Sequence, residues 1–202
     1  MSAIARAIQD IQRGALVFVT DDSNRENEGD LIMAADRVTP TALNFMITYG
    51  RGLVCVAITG SRARALRLSP MVKKNTAQFQ TRFTVSVDAV RGTGSGISVF
   101  DRAATIRAIV NPATAPKDLR RPGHIFPLVA DRRGVLGRAG HTEAAVDLAW
   151  LAGLTPAGVL CEILNTRGAA ANRSELKALA RRHRLTQLTI AELAAYRRRH
   201  EV

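Results

Sequence analysis

The chain has 202 residues, a formal net charge of +12, two cysteines and only 4% aromatic residues. That length fits one domain, residues 1–202, with enough core to fold without a disulfide or metal staple. No apolar run reaches the roughly 20 residues of a membrane span. The opening MSAIARAIQDIQRG has no signal-peptide core or cleavage site, so no membrane partner and a cytoplasmic location are expected.

The positive charge raises nucleic-acid binding, but its distribution argues otherwise. The cations are mostly scattered arginines, and the dense runs RRHR (181–184) and RRRH (197–200) fall on or near the last two helices. So few aromatics leave no base-stacking platform, and no nucleic-acid partner is expected.

In chain order, Ala3, Ile4, Ala7, Ile8 and Ile11 share one helical face, and Gly14 ends it. ALVFVT and DLIMAA read as strands joined by a charged connection. TPTALNFMITYG opens with Thr39 as N-cap and Pro40 at the first helical position, and closes at Gly50. LVCVAIT is a buried strand and FTVSVDA an alternating one. DRAATIRAIVN is a helix stopped by Pro112, and HIFPLVA a short strand in which Pro127 favours an edge or a bulge. TEAAVDLAWLAG is a helix ended by Gly153, and AGVLCEIL a strand. The last two helices, NRSELKALARRH and TIAELAAYRRRH, each begin with a capping box: Asn172 with Glu175, and Thr189 with Glu192. Strands and helices mix without strict alternation, which predicts an α+β domain, a mixed sheet with flanking helices.

Chemistry concentrates in a few stretches. RENEGD (25–30) sets Glu26, Glu28, Asp30 and Arg25 within six residues, after Asp21 and Asp22. Carboxylates this close repel and need cations, hydrogen bonds or metal. A solvated hairpin tip and a Mg²⁺ site both fit that pattern. In GRAGHTEAAVDLAWL, Arg138, Gly140, His141 and Thr142 stand where a helix begins, and its free N–H groups with a guanidinium beside them suit phosphate. His141 suits Mn²⁺ beside a carboxylate; a surface histidine next to a capping threonine is the plainer reading. His124 follows Pro122-Gly123 at a strand start. Glu162 is a lone acid in an apolar strand, either functional or turned to solvent. Cys55 and Cys161 lie in apolar runs and read as buried reduced thiols. GTGSGIS (92–98) is a weak imitation of a dinucleotide loop and reads better as a flexible substrate-facing one.

Taken together, RENEGDLI, GRGLVCVAIT, FTVSVDA, GISVFDRAATI, RRPGHIFPL, RAGHTEAAVDLAWLAGL and PAGVLCEI resemble the 3,4-dihydroxy-2-butanone 4-phosphate synthase family over nearly the whole chain. The resemblance implies a lyase of riboflavin biosynthesis. Such an enzyme converts D-ribulose 5-phosphate to the four-carbon ketone phosphate and formate with Mg²⁺ or Mn²⁺, as a homodimer. By motif position it implies Glu26 and His141 as metal ligands. Arg25, Glu26, Asp30, Ser95, Glu162 and the run Arg138, Ala139, Gly140, His141 and Thr142 are implied at the sugar phosphate. His124, Glu162, Asp30, Glu28 and Cys55 are implied in catalysis. Two departures stand out: Gly94-Ser95 replaces the family's usual threonine pair before GIS, and RGAAAN (167–172) replaces its usual DGTMAR. They leave an alternative, a paralogue that acts on a sugar phosphate with altered substrate or product in a specialised pathway.

Overall fold

The computed structural model describes residues 2–22 and 25–200. The elements run α1 (Ala3–Gln12), β1 (Val17–Thr20), β2 (Gly29–Ala34), α2 (Pro40–Phe45), β3 (Cys55–Ile58), α3 (Gly60–Ala65), β4 (Val87–Ala89) and α4 (Val99–Val110). They continue through β5 (Leu119–Val129), α5 (His141–Leu151), β6 (Ala157–Glu162), α6 (Arg173–Arg182), β7 (Thr186–Thr189) and α7 (Ile190–His200). The strands form one mixed sheet in the order β4-β5-β3-β6-β2-β1-β7. The β1–β7 and β3–β5 pairs are parallel, and the others antiparallel.

Helices cover both faces, because the central strands are apolar on both. On β6, Val159 and Cys161 point into one layer with Leu43, Ile106, Ile109 and Leu176, which come from α2, α4 and α6. Leu160 points into the other with Ile4, Ile11, Leu148 and Leu193, from α1, α5 and α7. Each such side chain, fully buried, contributes about 1.5–3 kcal/mol relative to exposure. We call the second layer the α5 face; it carries the site.

Local signals are mostly realised. Ser2 caps α1 and Thr39 caps α2, and the Asn172–Glu175 box forms with both reciprocal bonds. Glu192 and Thr189 likewise bond each other's backbone N–H groups. The TPTALNFMITYG helix keeps α geometry only to Phe45 and widens into a π-turn over Met46–Gly50, with Arg51 taking the left-handed conformation. FTVSVDA is regular only over Val87–Ala89. The short α3 and β7 were not anticipated: GSRARA has no apolar stripe, and TQLT buries only Leu188.

Pro127 occupies an interior strand, not an edge. Its carbonyl accepts from the Thr84 N–H at 2.9 Å. A strand residue's N and C=O point to the same side, so the missing N–H faces the irregular 81–85 segment and costs β3 nothing.

Candidate active site

In the connection between β1 and β2, Asp21 organises residues 25–28. Asp21 is buried; its Oδ2 accepts from Glu26 N (2.9 Å) and from Arg25 Nη1 (3.1 Å), and its Oδ1 from Glu28 N (2.9 Å). One carboxylate thus satisfies two loop N–H groups and an arginine. Arg25 also bonds Glu26 and lies over the Phe79 ring at 5.4 Å.

His141 reaches the same place from α5. Its Nδ1 lies 3.6 Å from Glu26 Oε2 and 3.8 Å from Asp30 Oδ1. Ligand atoms of Asp21, Glu26 and His141 all fall within 4.8 Å of one another. Two buried polar atoms here, His141 Nε2 and Asp30 Oδ1, have no hydrogen-bond partner. Orphaned donors and acceptors are costly when buried, so they mark a place for a ligand. A carboxylate and an imidazole beside a buried acid also fit a divalent cation of the Mg²⁺/Mn²⁺ type. Asp21 already spends both oxygens on the loop, which makes it the organiser of the donor set.

The charges respond to this crowding. Burial pushes Asp30 up, to about 7; the His141 charge opposes this, and Glu162, Glu28 and Glu26 reinforce it. Burial alone would depress His141, but the charge of Asp30 and the proximity of Glu26 and Asp21 raise it to about 9. Burial raises Glu28 too, helped by repulsion from Glu26 and Glu162. Glu26 goes the other way: burial works upward, but the imidazole of His141 and the guanidinium of Arg25 bring it below the ordinary carboxylate value.

Gly140, without a capping side chain, opens α5. A Cβ there would sit 2.4 Å from Arg138 Nη1, 2.8 Å from Glu143 Oε2 and 3.1 Å from Arg25 Nη2, so a larger residue would push these side-chain ends away from the helix start. Free N–H groups and two cations make an anion site. Arg138 is not an idle fork, however. Its Nη1 donates to Glu143 Oε2 (2.7 Å), and its Nη2 to Phe79 O (3.0 Å) and Thr81 Oγ1 (2.9 Å). It fastens the 79–81 segment over the site while lending it charge. Ala139 is exposed in the tight turn between Arg138 and Gly140.

A cavity of about 110 Å³ gathers Arg25, Glu26, Glu28, Asp30, Arg138, His141, Thr142 and Glu162, walled by Thr81, Phe83, Leu128 and Leu160. Glu162 pairs with Asp30 in register, and its Oε2 accepts from Leu53 N at 2.8 Å. Cys55 lies deeper on the α5 face, opposite Leu160, outside the cavity wall. Burial pushes its thiol well up, with Glu162, Asp30 and Cys161 adding to the effect, so it stays protonated.

His124 and Ser95 stand outside this cavity. The β3 pairings end at Cys55, and the Arg51–Ile163 bridge beyond them is one residue out of the β3–β6 register, so His124 and Leu53 lie outside the regular ladder. His124 pairs with Asp88, Nδ1 to Oδ2 at 2.7 Å. Ser95 is exposed on the loop between β4 and α4. That loop is held by Asp101, which accepts from Gly94 N and Gly96 N. Sequence reasoning missed the roles of Asp21, Thr81, Phe83, Asp88 and Glu143. Asp21 alone carried a signal, its place in the acidic run; the others depend on contacts between distant segments.

The family model for 3,4-dihydroxy-2-butanone 4-phosphate synthase matches residues 5–196. The riboflavin biosynthesis protein RibBA of Bacillus cereus (strain AH187) is 54% identical over 198 residues, covering 98% of this chain and 50% of the relative. The Aquifex aeolicus RibBA is 52% identical over 202 residues, covering 99% and 50%. The chain thus spans about half the length of these curated relatives. Among solved structures, the two-domain synthase RibBX from A. baumannii superposes with a TM-score of 0.93 at 47% identity, over 97% of this chain and 58% of that one. A 3,4-dihydroxy-2-butanone 4-phosphate synthase in complex with two magnesium ions gives 0.91 at 41%, over 100% and 99%.

Proposed function

Given that the chain belongs to the 3,4-dihydroxy-2-butanone 4-phosphate synthase family, we propose that it converts D-ribulose 5-phosphate to 3,4-dihydroxy-2-butanone 4-phosphate and formate with a divalent cation, Mg²⁺ or Mn²⁺, as a homodimer. The observation that carries this reading is the meeting of Glu26 and His141, 3.6 Å apart, beside the unpartnered Oδ1 of buried Asp30.

Glu26 and His141 would hold the cation. Bound there, it would supply Lewis-acid polarisation of the sugar's neighbouring oxygens. The protein groups account for the rest. The uncapped start of α5, with Arg25 and Thr142, binds the phosphate, which takes no part in bond making; its binding energy orients the reacting end. Arg138 adds charge and keeps the 79–81 wall closed, which excludes water. Asp30, with a pKa of about 7, can accept a proton near the ketone and return it at neutral pH. Glu162, fixed by Leu53 N, serves later proton transfers, and Glu28, pushed upward, can donate. His124 would supply a further proton transfer. Buried and protonated, Cys55 shapes the floor behind Glu162 and is no nucleophile. Ser95 would approach substrate only through its loop.

Leu53, Ile97 and Phe100 are exposed apolar side chains close in sequence to Glu162's anchor and the 92–98 loop; Phe100 is 69% accessible. They support the homodimer, since apolar groups of this size are favourably covered by a second copy.

The test is formate release from ribulose 5-phosphate with MgCl₂. Turnover that disappears with EDTA and returns with Mn²⁺ is expected. No formate at high enzyme concentration would overturn the assignment.

A further inference from the structure

A second cavity, of about 680 Å³, opens toward the far end of α5. Trp150 on its wall lies nine residues beyond His141 in that helix, roughly 13 Å along the axis. The cavity shares no lining residue with the active site. Its volume falls within the roughly 300–1,000 Å³ usual for small-molecule sites.

The wall is built on a buried acid. Asp147 is buried, and its Oδ2 accepts from Val135 N (2.9 Å) and from Arg197 Nη1 (2.8 Å). The same Nη1 also donates to Arg133 O at 2.8 Å. Gly134, at φ +58°, makes room for this pair. A Cβ there would fall 2.0 Å from Asp147 Oδ1 and 2.3 Å from Arg197 Nη1. Arg197, anchored in this way, lies over the Trp150 ring at 5.2 Å and fixes it. Trp150 nevertheless stays 43% exposed.

The rest of the lining is cationic and underused. Arg64, Arg82, Arg132 and Arg197 stand against Asp131 and Asp147. Arg82 reaches Asp131 loosely, at 3.6 Å, with its side chain 56% accessible. Among the described residues, the guanidinium groups of Arg64 and Arg132 have no hydrogen-bond or ion-pair partner. The hydroxyls of Thr59 and Ser61, 2.9 Å apart, lie on the same wall.

We propose that this cavity binds a planar aromatic ring carrying a phosphate, the chemistry of a mononucleotide. An arginine fork gives phosphate two parallel N–H bonds. An exposed indole, fixed in place, offers a ring a surface to pack on. A bare anion would leave Trp150 uncovered, and an uncharged ring would leave the arginines unused. The site is separate from the one that carries the reaction and does not depend on that assignment.

Trp150 is the only tryptophan in the chain, so its fluorescence reports this cavity. The 202-residue protein is titrated with AMP, flavin mononucleotide, adenosine and inorganic phosphate, with correction for absorbance. Saturable quenching at sub-millimolar concentration is expected with at least one of AMP and flavin mononucleotide. Adenosine and inorganic phosphate should each bind at least about tenfold more weakly than the better of the two. Arg64→Ala combined with Arg132→Ala removes side chains that bond nothing, so Tm should not change. The same double variant should weaken mononucleotide binding at least about tenfold and leave adenosine binding as it was. Absence of quenching by both mononucleotides, or wild-type affinity in the double variant, would overturn the proposal. Inorganic phosphate binding as tightly as the mononucleotides would also overturn it, since the ring would then play no part. So would Trp150 emission that shifts with protein concentration and ignores ligand, which would give this surface to a second copy of the chain.

Discussion

Glu26 on the first hairpin and His141 at the start of α5 face each other across 3.6 Å, although they are far apart in the chain. The strand ladders and the apolar packing of α5 on the sheet set this distance. If the pair is a metal site, Glu26→Gln and His141→Asn should each weaken Mn²⁺ binding by more than the roughly 10–100-fold that loss of a supporting contact costs. Formate release should fall to background. Titration calorimetry with Mn²⁺ reads the first effect; full affinity in Glu26→Gln would exclude this residue as a ligand.

Metal and proton compete for His141. Its pKa rises from 6.5 to about 9, so the folded, metal-free protein favours the imidazolium. A basic group raised in the fold contributes stability fully present below pH 6.5 and lost as pH climbs through 9. Metal needs the neutral ring, so its affinity runs in the opposite direction. The Mn²⁺ Kd should tighten by up to about tenfold per pH unit between 6.5 and 9. An affinity independent of pH over that window would mean that His141 does not give up a proton on binding.

Asp21 makes a prediction about stability. Asp21→Ala leaves the N–H groups of Glu26 and Glu28 without their acceptor and strips Arg25 of a partner. A loss of about 2 kcal/mol or more is expected in urea denaturation. Asp21→Asn, which retains one good acceptor, should cost less. Equal stability of the wild type and Asp21→Ala would show that the turn is held by something else.

Gly52 is a control on Glu162. A Cβ there would lie 2.5 Å from Glu162 Oε2 and 2.6 Å from its carbonyl oxygen. Gly52→Ala should therefore displace the carboxylate and reduce kcat at least about tenfold, while Mn²⁺ binding at Glu26 and His141 stays intact. A parallel loss of metal affinity would indicate wider damage.

Much of this was legible in the chain. The capping boxes, the Thr39–Pro40 start and the paired apolar runs follow from local rules, and they hold. RENEGD and AGHT advertised charge and a helix start. The missing part is long-range. No local pattern says that Asp88 turns toward His124, since this needs a bulge set by pairing across β4 and β5. None says that Arg138 spends its fork on Phe79 and Thr81. TQLT escaped notice because β7 is stabilised by parallel pairing with β1, not by its own apolar content.

The central claim is a divalent cation shared by the first hairpin and the α5 start. Anomalous difference density from a crystal soaked in MnCl₂ tests it most directly. The account predicts a peak bonded to both Glu26 and His141, within reach of Asp30. A well-occupied Mn²⁺ elsewhere, with no peak between those two side chains, would contradict it.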